Sequence, residues 1–242
     1  MNARAIGFGS VLALTLLALP LAAGAQSVEG TFLSDYSKLK AASDNAFEKV
    51  YVAPDAQQRA AKYTAIMIDQ PEVFVNPGSK YQGMKPDDMK AIADGLREAV
   101  SAQLKDRYTI VDAAGPNVLF LRLAVSDVML QKKKRPILAY TPVGAAVKAV
   151  KDAASSVTSK VDLKNMRIEG EVLDSVTQEQ FGAMTTSRGS LSTSGNASQP
   201  VSWQELNQLF TLAGKRLRCR LDNAALPAAE WEKCGVIGVA AN

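Results

Sequence analysis

The stretch Val118–Leu130 is apolar at nearly every position, and it constrains the fold more than any other feature of the chain. A strand with one face in solvent alternates apolar and polar residues, so an apolar run of this length indicates a strand buried on both faces. Such a strand lies in the middle of a sheet and needs other layers to cover it. The rest of the chain must therefore supply neighbouring strands and covering helices.

Two amphipathic helices meet part of that need. The first begins at Pro86, with two aspartates in its first turn, and carries apolar residues at three- and four-residue spacing up to Leu104. The second begins at a capping box formed by Ser202 and Glu205, and its apolar stripe runs to Leu221. Both stripes predict helices that pack against a core.

The remaining periodic segments predict strands. Tyr63–Val75 is rich in β-branched and aromatic residues and is interrupted at Pro71, so we expect a strand with a break there. Tyr108–Asp112 is a short strand, and Asn165–Ser175 and Gln180–Arg188 are the two arms of a hairpin.

A third helix is predicted over Tyr140–Val157, where five small apolar residues share one face; that face could instead dock in a partner's groove. The alternation of strands and helices predicts an α/β (α+β) fold. We expect a single domain with a mixed, mainly antiparallel sheet and two or three helices packed on it.

Four regions are expected along the chain. Residues 1–25 are a signal peptide and residues 26–62 an N-terminal extension, pinned across the domain surface by Phe32, Tyr36 and Leu39. Residues 63–222 form the domain, with a flexible Ser/Thr/Gly loop at 187–200. Residues 223–242 form a C-terminal tail.

The first region has the three parts of an export signal. Arg4 supplies its positive charge, Val11–Leu19 is the apolar core, and small residues precede a cleavage site between Ala25 and Gln26. A membrane-spanning helix needs roughly 20 apolar residues, so this core is too short to be one. No cysteine follows Ala25 to carry a lipid. We therefore expect a soluble periplasmic protein with no transmembrane span in the mature chain.

The chain contains no histidine, which excludes Ser-His-Asp and Cys-His catalysis and histidine-based zinc sites. We expect no cofactor and no metal. The formal net charge of +4 is too small to indicate nucleic acid, which the predicted compartment also disfavours.

The two cysteines, Cys219 and Cys234, are predicted to form a disulfide because the compartment is oxidising and neither belongs to a C-x-x-C motif. The alternative is a pair of reactive thiols. If the disulfide forms, the returning chain should bury the ring of Trp231 against the last turns of the helix.

Three acidic residues of the hairpin are candidates for chemistry without histidine. Glu169 and Glu171 are two positions apart and share a strand face, and Asp174 follows. Paired carboxylates can hydrolyse glycosides, and the same pattern is typical of a solvent-exposed strand face. Ser37 and Lys40 match S-x-x-K formally, but the other motifs of penicillin-binding proteins are absent.

Basic residues form two clusters. The first directly follows the apolar strand and could contact the phosphates of an anionic surface or simply be a solvated loop. The second lies towards the end of the last helix, where cations offset the helix dipole. The first cluster is Lys132, Lys133, Lys134 and Arg135, and the second is Lys215, Arg216, Arg218 and Arg220.

Several motifs occur in an order that resembles the domain of unknown function 3313 family, found in exported proteins and lipoproteins of Gram-negative bacteria. The resemblance spans Phe32 to Arg188 and implies an envelope address and a fold, but no catalytic residues. Two features depart from the family pattern: there is no lipidated cysteine, and Gln178 stands where the hairpin turn often has glycine. The matching segments are FLSDYSKL from Phe32, Tyr51–Pro54, Tyr63 with Ile66–Asp69, Ala114–Asn117, LFLRLAVSDV from Leu119, Thr141–Gly144 and Glu169–Ser175.

These observations favour a non-catalytic module that binds an envelope protein or an anionic envelope component. Two alternatives stay open. One is a histidine-free carbohydrate-active enzyme that acts on peptidoglycan through the hairpin carboxylates. The other is a carrier of a small apolar ligand.

Overall fold

The computed structural model describes residues 32–132, 161–191 and 200–237. Within these ranges the chain forms one eight-stranded sheet and four α-helices. The strands are β1 (Lys40–Ala41), β2 (Lys49–Val52), β3 (Ala65–Ile68), β4 (Glu72–Val75), β5 (Thr109–Val111), β6 (Val118–Lys132), β7 (Val161–Asp174) and β8 (Gln180–Ser187). The helices are α1 (Ala56–Ala60), α2 (Pro86–Leu104), α3 (Arg188–Leu191) and α4 (Trp203–Ala224), and the 3-10 turns Ala228–Glu230 and Cys234–Val236 follow α4.

The sheet is mixed and mostly antiparallel, as the sequence predicted. Its strand order is β1-β2-β8-β7-β6-β3-β5, and β4 also pairs with β6. Neighbours from β1 to β6 run antiparallel, whereas β3 and β4 run parallel to β6, and β5 runs parallel to β3. The fold is therefore a single α+β domain, with the long helices α2 and α4 contributing to one core.

The central position of β6 is confirmed, since β7 flanks one edge and β3 and β4 share the other. Leu121, Val125 and Val128 are fully buried. The strand bulges near Asp127, whose φ of 52° lies in the left-handed region and where the pairing with β7 shifts register. The side chain of Asn76 donates to the Asp127 carboxylate and holds the bulge against the end of β4.

The predicted break at Pro71 is also confirmed, because β3 ends at Ile68 and β4 begins at Glu72. The predicted hairpin forms from β7 and β8. In its turn, Gln178 adopts a φ of 61°, which is the conformation that glycine accepts most easily.

Both predicted helices start where expected. Pro86 is the first residue of α2, and Ser202 Oγ accepts the N–H of Glu205 at 3.1 Å to cap α4. Only that half of the capping box is used for capping, because the Glu205 carboxylate pairs with Arg188 at 2.8 Å. None of the helices within 32–132, 161–191 and 200–237 combines the length and apolar character needed to cross a bilayer.

Two expected boundaries differ from the structure. The segment treated as an N-terminal extension supplies β1, β2 and α1, and β2 pairs with β8, so these residues belong to the sheet. The expected loop at 187–200 is wrong for its first five residues, because Ser187 ends β8 and α3 follows with Arg188 and Leu191 buried. Arg188 orders this turn by donating to Lys164 O at 2.9 Å. Residues 192–199 and the predicted helix Tyr140–Val157 lie outside the described residues.

Candidate functional site

The two carboxylates of the hairpin lie on one face of β7, as predicted, but that face is not exposed to solvent. Glu169 is 3% exposed and Glu171 is 0% exposed. The interpretation of this pattern as a solvated strand face is therefore wrong. What covers the pair is the N-terminal strap, which we define as Phe32–Leu39.

Glu171 is satisfied on both oxygens. Its Oε1 accepts from Gln180 Nε2 at 2.7 Å and from the backbone N–H of Ser34 at 3.2 Å. Its Oε2 accepts from Arg122 Nη1 at 2.9 Å and from Ser34 Oγ at 3.0 Å. A carboxylate offers about four acceptor positions, so none is left for a substrate.

Glu169 is held by hydroxyl groups. Ser126 Oγ donates to one oxygen and the Tyr36 hydroxyl donates to the other. Burial of the Tyr36 phenol, together with its hydrogen bond to Glu169, raises the pKa of Tyr36 to about 12. Thr185, the cross-strand neighbour of Glu169 on β8, is buried, and its hydroxyl has no hydrogen-bond partner among the described residues.

The strap is seated by apolar contacts as well as by these bonds. Phe32 and Leu33 are buried, and the Phe32 ring packs against Phe74 with centroids 6.3 Å apart. The guanidinium of Arg122 lies 4.9 Å from the centre of the Phe32 ring. Tyr36 OH also accepts the backbone N–H of Leu33 at 3.2 Å, so the strap closes on itself while it binds the sheet.

This arrangement leaves little room for the chemistry that the carboxylates could otherwise perform. A glycosidase needs one acid and one carboxylate that both reach the sugar, with space for the substrate between them. Here both groups lie under the strap. Within the described ranges, no cluster of three or more His, Cys, Asp or Glu side chains could hold a metal ion.

The other candidates for chemistry also have local partners. Ser37 Oγ donates to Asp35 Oδ1 at 2.6 Å, which ties the serine of the S-x-x-K match to its own turn. Asp174 accepts from Tyr63 OH at 2.7 Å and from the backbone N–H of Thr177 at 3.0 Å. Burial alone would raise the pKa of Asp174, but these bonds and the nearby Lys62 hold it well below its ordinary value. Asp174 therefore caps the hairpin turn.

The second basic cluster does not lie in the last turn of its helix, because α4 continues to Ala224. Arg216 is 3% exposed and donates to the carbonyls of Ala46 at 3.0 Å and Gly235 at 3.3 Å. Arg218 pairs with Asp222 at 2.7 Å, and Arg220 pairs with Asp44. The expectation that these cations offset the helix dipole is thus wrong for the arginines, which bind specific partners; Lys215 is exposed.

Only one residue of the first basic cluster is among the described residues. Lys132 is the last residue of β6, and nothing is described of its side chain. Lys133, Lys134 and Arg135 lie outside the described residues, as do Ala25 and Gln26 at the predicted cleavage site.

Cys219 and Cys234 form a disulfide with 5.7 Å between their Cα atoms. The bond ties the C-terminal tail to α4, as the sequence predicted. The prediction that Trp231 is buried is wrong, because this residue is 48% exposed and its Nε1 donates to Leu226 O at 3.0 Å. The turn at Leu226–Pro227 brings the tail back along the helix, but Trp231 is not buried against it.

A family model described as "Protein of unknown function (DUF3313)" matches residues 29–217. The match includes the strap, both buried carboxylates and most of α4. This chain belongs to the DUF3313 family. A search of curated proteins found no match.

Solved structures resemble the DUF3313 chain only distantly. A PelC dodecamer from Paraburkholderia phytofirmans is 11% identical, with a TM-score of 0.31, over 63% of this chain and 86% of that one. A neuraminyllactose-binding hemagglutinin homologue from Helicobacter pylori is 11% identical, with a TM-score of 0.32, over 75% of this chain and 91% of that one. Protein XCC0632 from Xanthomonas campestris is 16% identical, with a TM-score of 0.31, over 66% and 88%. Similarities of this size carry no inference about function.

Sequence reasoning missed the residues of β6 that donate hydrogen bonds to the two carboxylates of the DUF3313 domain. Arg122 and Ser126 are the polar interruptions in the first nine residues of β6, and their four-residue spacing puts them on one face of the strand. That spacing is a usable signal, because a charge inside a doubly buried strand requires a partner on a neighbouring strand.

Proposed function

We propose that this DUF3313 protein is a non-catalytic accessory module that binds another component of the bacterial cell envelope. The observation that carries the proposal is the state of the two hairpin carboxylates. Every oxygen of Glu169 and Glu171 accepts a hydrogen bond from the sheet or from the strap. The chain also has no histidine, the side chain that most often acts as a general base near neutral pH.

The envelope address is part of the same proposal. The export signal with cleavage between Ala25 and Gln26, and a disulfide between Cys219 and Cys234, both suit an oxidising compartment outside the cytoplasm. We expect the mature protein to start at Gln26 and to fractionate with periplasmic contents. An intact Met1 terminus in cells, or incorporation of labelled palmitate, would contradict this.

The domain layout that we propose has a signal peptide at 1–25, a single domain that includes the strap, and a C-terminal tail that the disulfide ties to α4. The tail was expected from residue 223 but follows α4, which ends at Ala224. The partner is an envelope protein or an anionic envelope component. The run Lys132–Arg135 supports the second choice by its charge density. Salt-sensitive binding to anionic vesicles that is lost when all four residues are neutralised would favour it, and salt-independent or absent binding would remove it.

The central experiment separates a binding module from an enzyme. Purified peptidoglycan is incubated with the wild-type protein, with Glu169→Gln and Glu171→Gln, and with Glu179→Gln as the matched control on the exposed hairpin turn. We expect no release of glycan fragments by any of the four. The proposal would be overturned if the wild type and the control released fragments and if Glu169→Gln or Glu171→Gln, although folded, released none.

The binding half of the proposal is tested in cells. A photo-crosslinking residue at Val176, which is 62% exposed at the hairpin tip, and another at Trp231, on the tail, sample two separate surfaces. We expect one defined envelope partner to be captured from one of these positions. If no partner were captured from these two positions or from a wider set of exposed positions, the accessory role would be contradicted.

A further inference from the structure

The sheet face beneath the strap combines small apolar side chains with buried charge. Ala124 on β6 and Ala183 on β8 pack with the strap in an apolar cluster that is separate from the main core. Ala124 is the cross-strand partner of Glu169, and Ala183 that of Glu171, so all four side chains share this strap-covered face. Replacing a buried ion pair by apolar side chains is often neutral or stabilising, so stability alone does not account for charge here.

The strap lies on this face without joining the sheet. None of the described strands exchanges backbone hydrogen bonds with Phe32–Leu39. Its hydrogen bonds to β7 go to side chains, from Ser34 and Tyr36 to the two carboxylates. After Leu39 the chain enters β1, a strand of two residues at the edge of the sheet. The strap can therefore leave the face without breaking a strand pairing.

Glu169 is buried with no cation in contact. Among the described residues its oxygens accept only from the hydroxyls of Ser126 and Tyr36. Arg167, two positions away on the same strand, pairs with Glu48 instead. A buried carboxylate is costly without a counter-charge, and a hydrogen bond from a cation is roughly twice as strong as one from a neutral donor. The strap therefore binds Glu169 less strongly than a segment with a cationic side chain at this position.

A second group on this face has no partner. Thr185 lies opposite Glu169 in the pairing of β7 with β8 and two positions from Ala183, so it shares the strap-covered face. It is 2% exposed, and its hydroxyl has no hydrogen-bond partner among the described residues. This burial is that of the strap-covered state, so it does not exclude a segment that takes the place of the strap. A lysine ammonium has three donors and can bind both Glu169 and Thr185.

We propose that the strap-covered face binds a cationic segment of a partner protein, and that the strap occupies the site until this segment replaces it. A lysine of the partner takes the position of the Tyr36 hydroxyl beside Glu169 and Thr185, and an apolar side chain takes the position of Phe32. The strap is then an autoinhibitory contact. The proposal rests on the proposed function, which it deepens by naming the surface and the chemistry of the partner.

Peptides added to the mature protein test the site. Fluorescence anisotropy compares the strap sequence FLSDYSKL with the same peptide carrying Tyr36→Lys, the lysine peptide, or Tyr36→Glu. We expect the lysine peptide to bind about tenfold more tightly than the strap peptide, because a charged donor replaces a neutral one, and the Tyr36→Glu peptide not to bind. Hydrogen exchange at the amides of Leu33 and Ser34 should accelerate when the lysine peptide binds, because the strap leaves the face.

Protein variants locate the peptide. Phe32→Ala in the protein weakens the competing strap, so we expect tighter binding of the lysine peptide, whereas Val176→Ala at the exposed hairpin tip should leave it unchanged. Glu169→Gln should remove the preference for the lysine peptide, and Glu179→Gln on the exposed turn should retain it. Thr185→Val keeps the shape of the side chain and should weaken the lysine peptide while leaving the strap peptide unchanged.

Three results overturn the proposal. They are equal binding of all three peptides, no binding of any peptide to the wild type and to Phe32→Ala, or binding of the lysine peptide without faster exchange of the strap amides. If one of these were found while a partner was still captured from Val176 or Trp231, the proposed function would stand and this site would not. If the lysine peptide bound as expected but no partner were captured in cells, the accessory role would fail and the site would stand.

Discussion

Arg122 on β6 and Glu171 on β7 are directly opposite each other in the sheet, and Arg122 Nη1 donates to Glu171 Oε2 at 2.9 Å. The same carboxylate accepts both bonds from Ser34, and the same guanidinium lies over the ring of Phe32. One charged pair therefore joins two central strands to the N-terminal strap. Any change that breaks the pair should loosen the strap and the sheet together.

Glu171→Gln tests this coupling. The substitution leaves the Arg122 guanidinium without its counter-charge, and we expect the free energy of unfolding to fall by about 2–3 kcal/mol, the range for losing a buried partner of a charged group. Urea denaturation measures the change. Glu179→Gln is the control, because Glu179 is 69% exposed and pairs with Arg59 only at 3.6 Å, so we expect a loss below about 0.5 kcal/mol.

The pairing itself is isolated by adding Arg122→Met to each background. If the two residues interact as the geometry indicates, Arg122→Met should cost less in Glu171→Gln than in the wild type. Equal costs in both backgrounds would mean that Arg122 and Glu171 do not stabilise each other.

Tyr36→Phe removes the hydroxyl that donates to Glu169 and accepts two strap N–H groups, so we expect a loss of about 1–3 kcal/mol at neutral pH. The loss should depend on pH. The pKa of Tyr36 is raised to about 12 in the folded protein, against about 10 for an unperturbed tyrosine. Its contribution is therefore fully present below about pH 10 and disappears as the pH rises towards the folded pKa.

The measurement is the difference in unfolding free energy between the wild type and Tyr36→Phe at several pH values up to the alkaline limit of folding. Tyr81→Phe, on the loop between β4 and α2, is the control. If the difference in unfolding free energy stayed constant above pH 10, the Tyr36 phenol would not titrate as part of this site.

The elements of this fold could be predicted because their signals are local. Pro86 and Ser202 mark helix starts, Pro71 marks the strand break, and the nearly continuous apolar run of β6 marks the sheet centre. The burial of Glu169 and Glu171 could not be predicted in the same way. It depends on Ser34 and Tyr36, which are 137 and 133 positions away in the sequence from the carboxylates they contact.

Arg216 shows the same limit. In the sequence it is one of four basic residues near the end of the last helix, and the sequence assigns none of them a partner. In the fold its guanidinium is buried where the backbone carbonyls of Ala46 and Gly235 converge, and neither belongs to an element with a clear local signal. Position on a helix gives the direction of a side chain, but the acceptors come from loops whose path the sequence pattern does not specify.

Gly214 on α4 lies close to the backbone of α2. A Cβ there would lie 3.2 Å from Val100 Cα and 3.3 Å from Ala99 O, both backbone atoms that cannot move independently. Alanine in a helix interior is otherwise favoured over glycine by roughly 0.5–1 kcal/mol. We expect Gly214→Ala to lose about 1–2 kcal/mol because overpacking outweighs that preference.

Gly95 on α2 is the matched control, because it faces α4 from the other side of the same helix pair. The nearest atom to a Cβ at Gly95 is Asn207 Oδ1 at 3.6 Å, an ordinary contact. We expect Gly95→Ala to gain roughly 0.5–1 kcal/mol in chemical denaturation. If both variants gained the same stability, the helices would not be in contact at Gly214.

The Cys219–Cys234 disulfide closes a loop with a sequence separation of 15 and should contribute about 3 kcal/mol in the chain-entropy model. The tail has a second attachment, since Arg216 donates to the carbonyls of Gly235 and Ile237. Because these bonds persist without the disulfide, we expect Cys219→Ser and Cys234→Ser to fold and to melt at lower temperature.

The double cysteine variant should match either single variant, because one bond is lost in all three. A reducing agent should lower the melting temperature of the wild type to the same level and leave the double variant unchanged. Adding Arg216→Met to the double variant removes the second attachment as well, so we expect a further loss larger than its cost in the oxidised protein. Thiol alkylation before and after reduction reports the bond directly, and two alkylated cysteines in unreduced protein taken from the periplasm would show that the tail is not covalently tied.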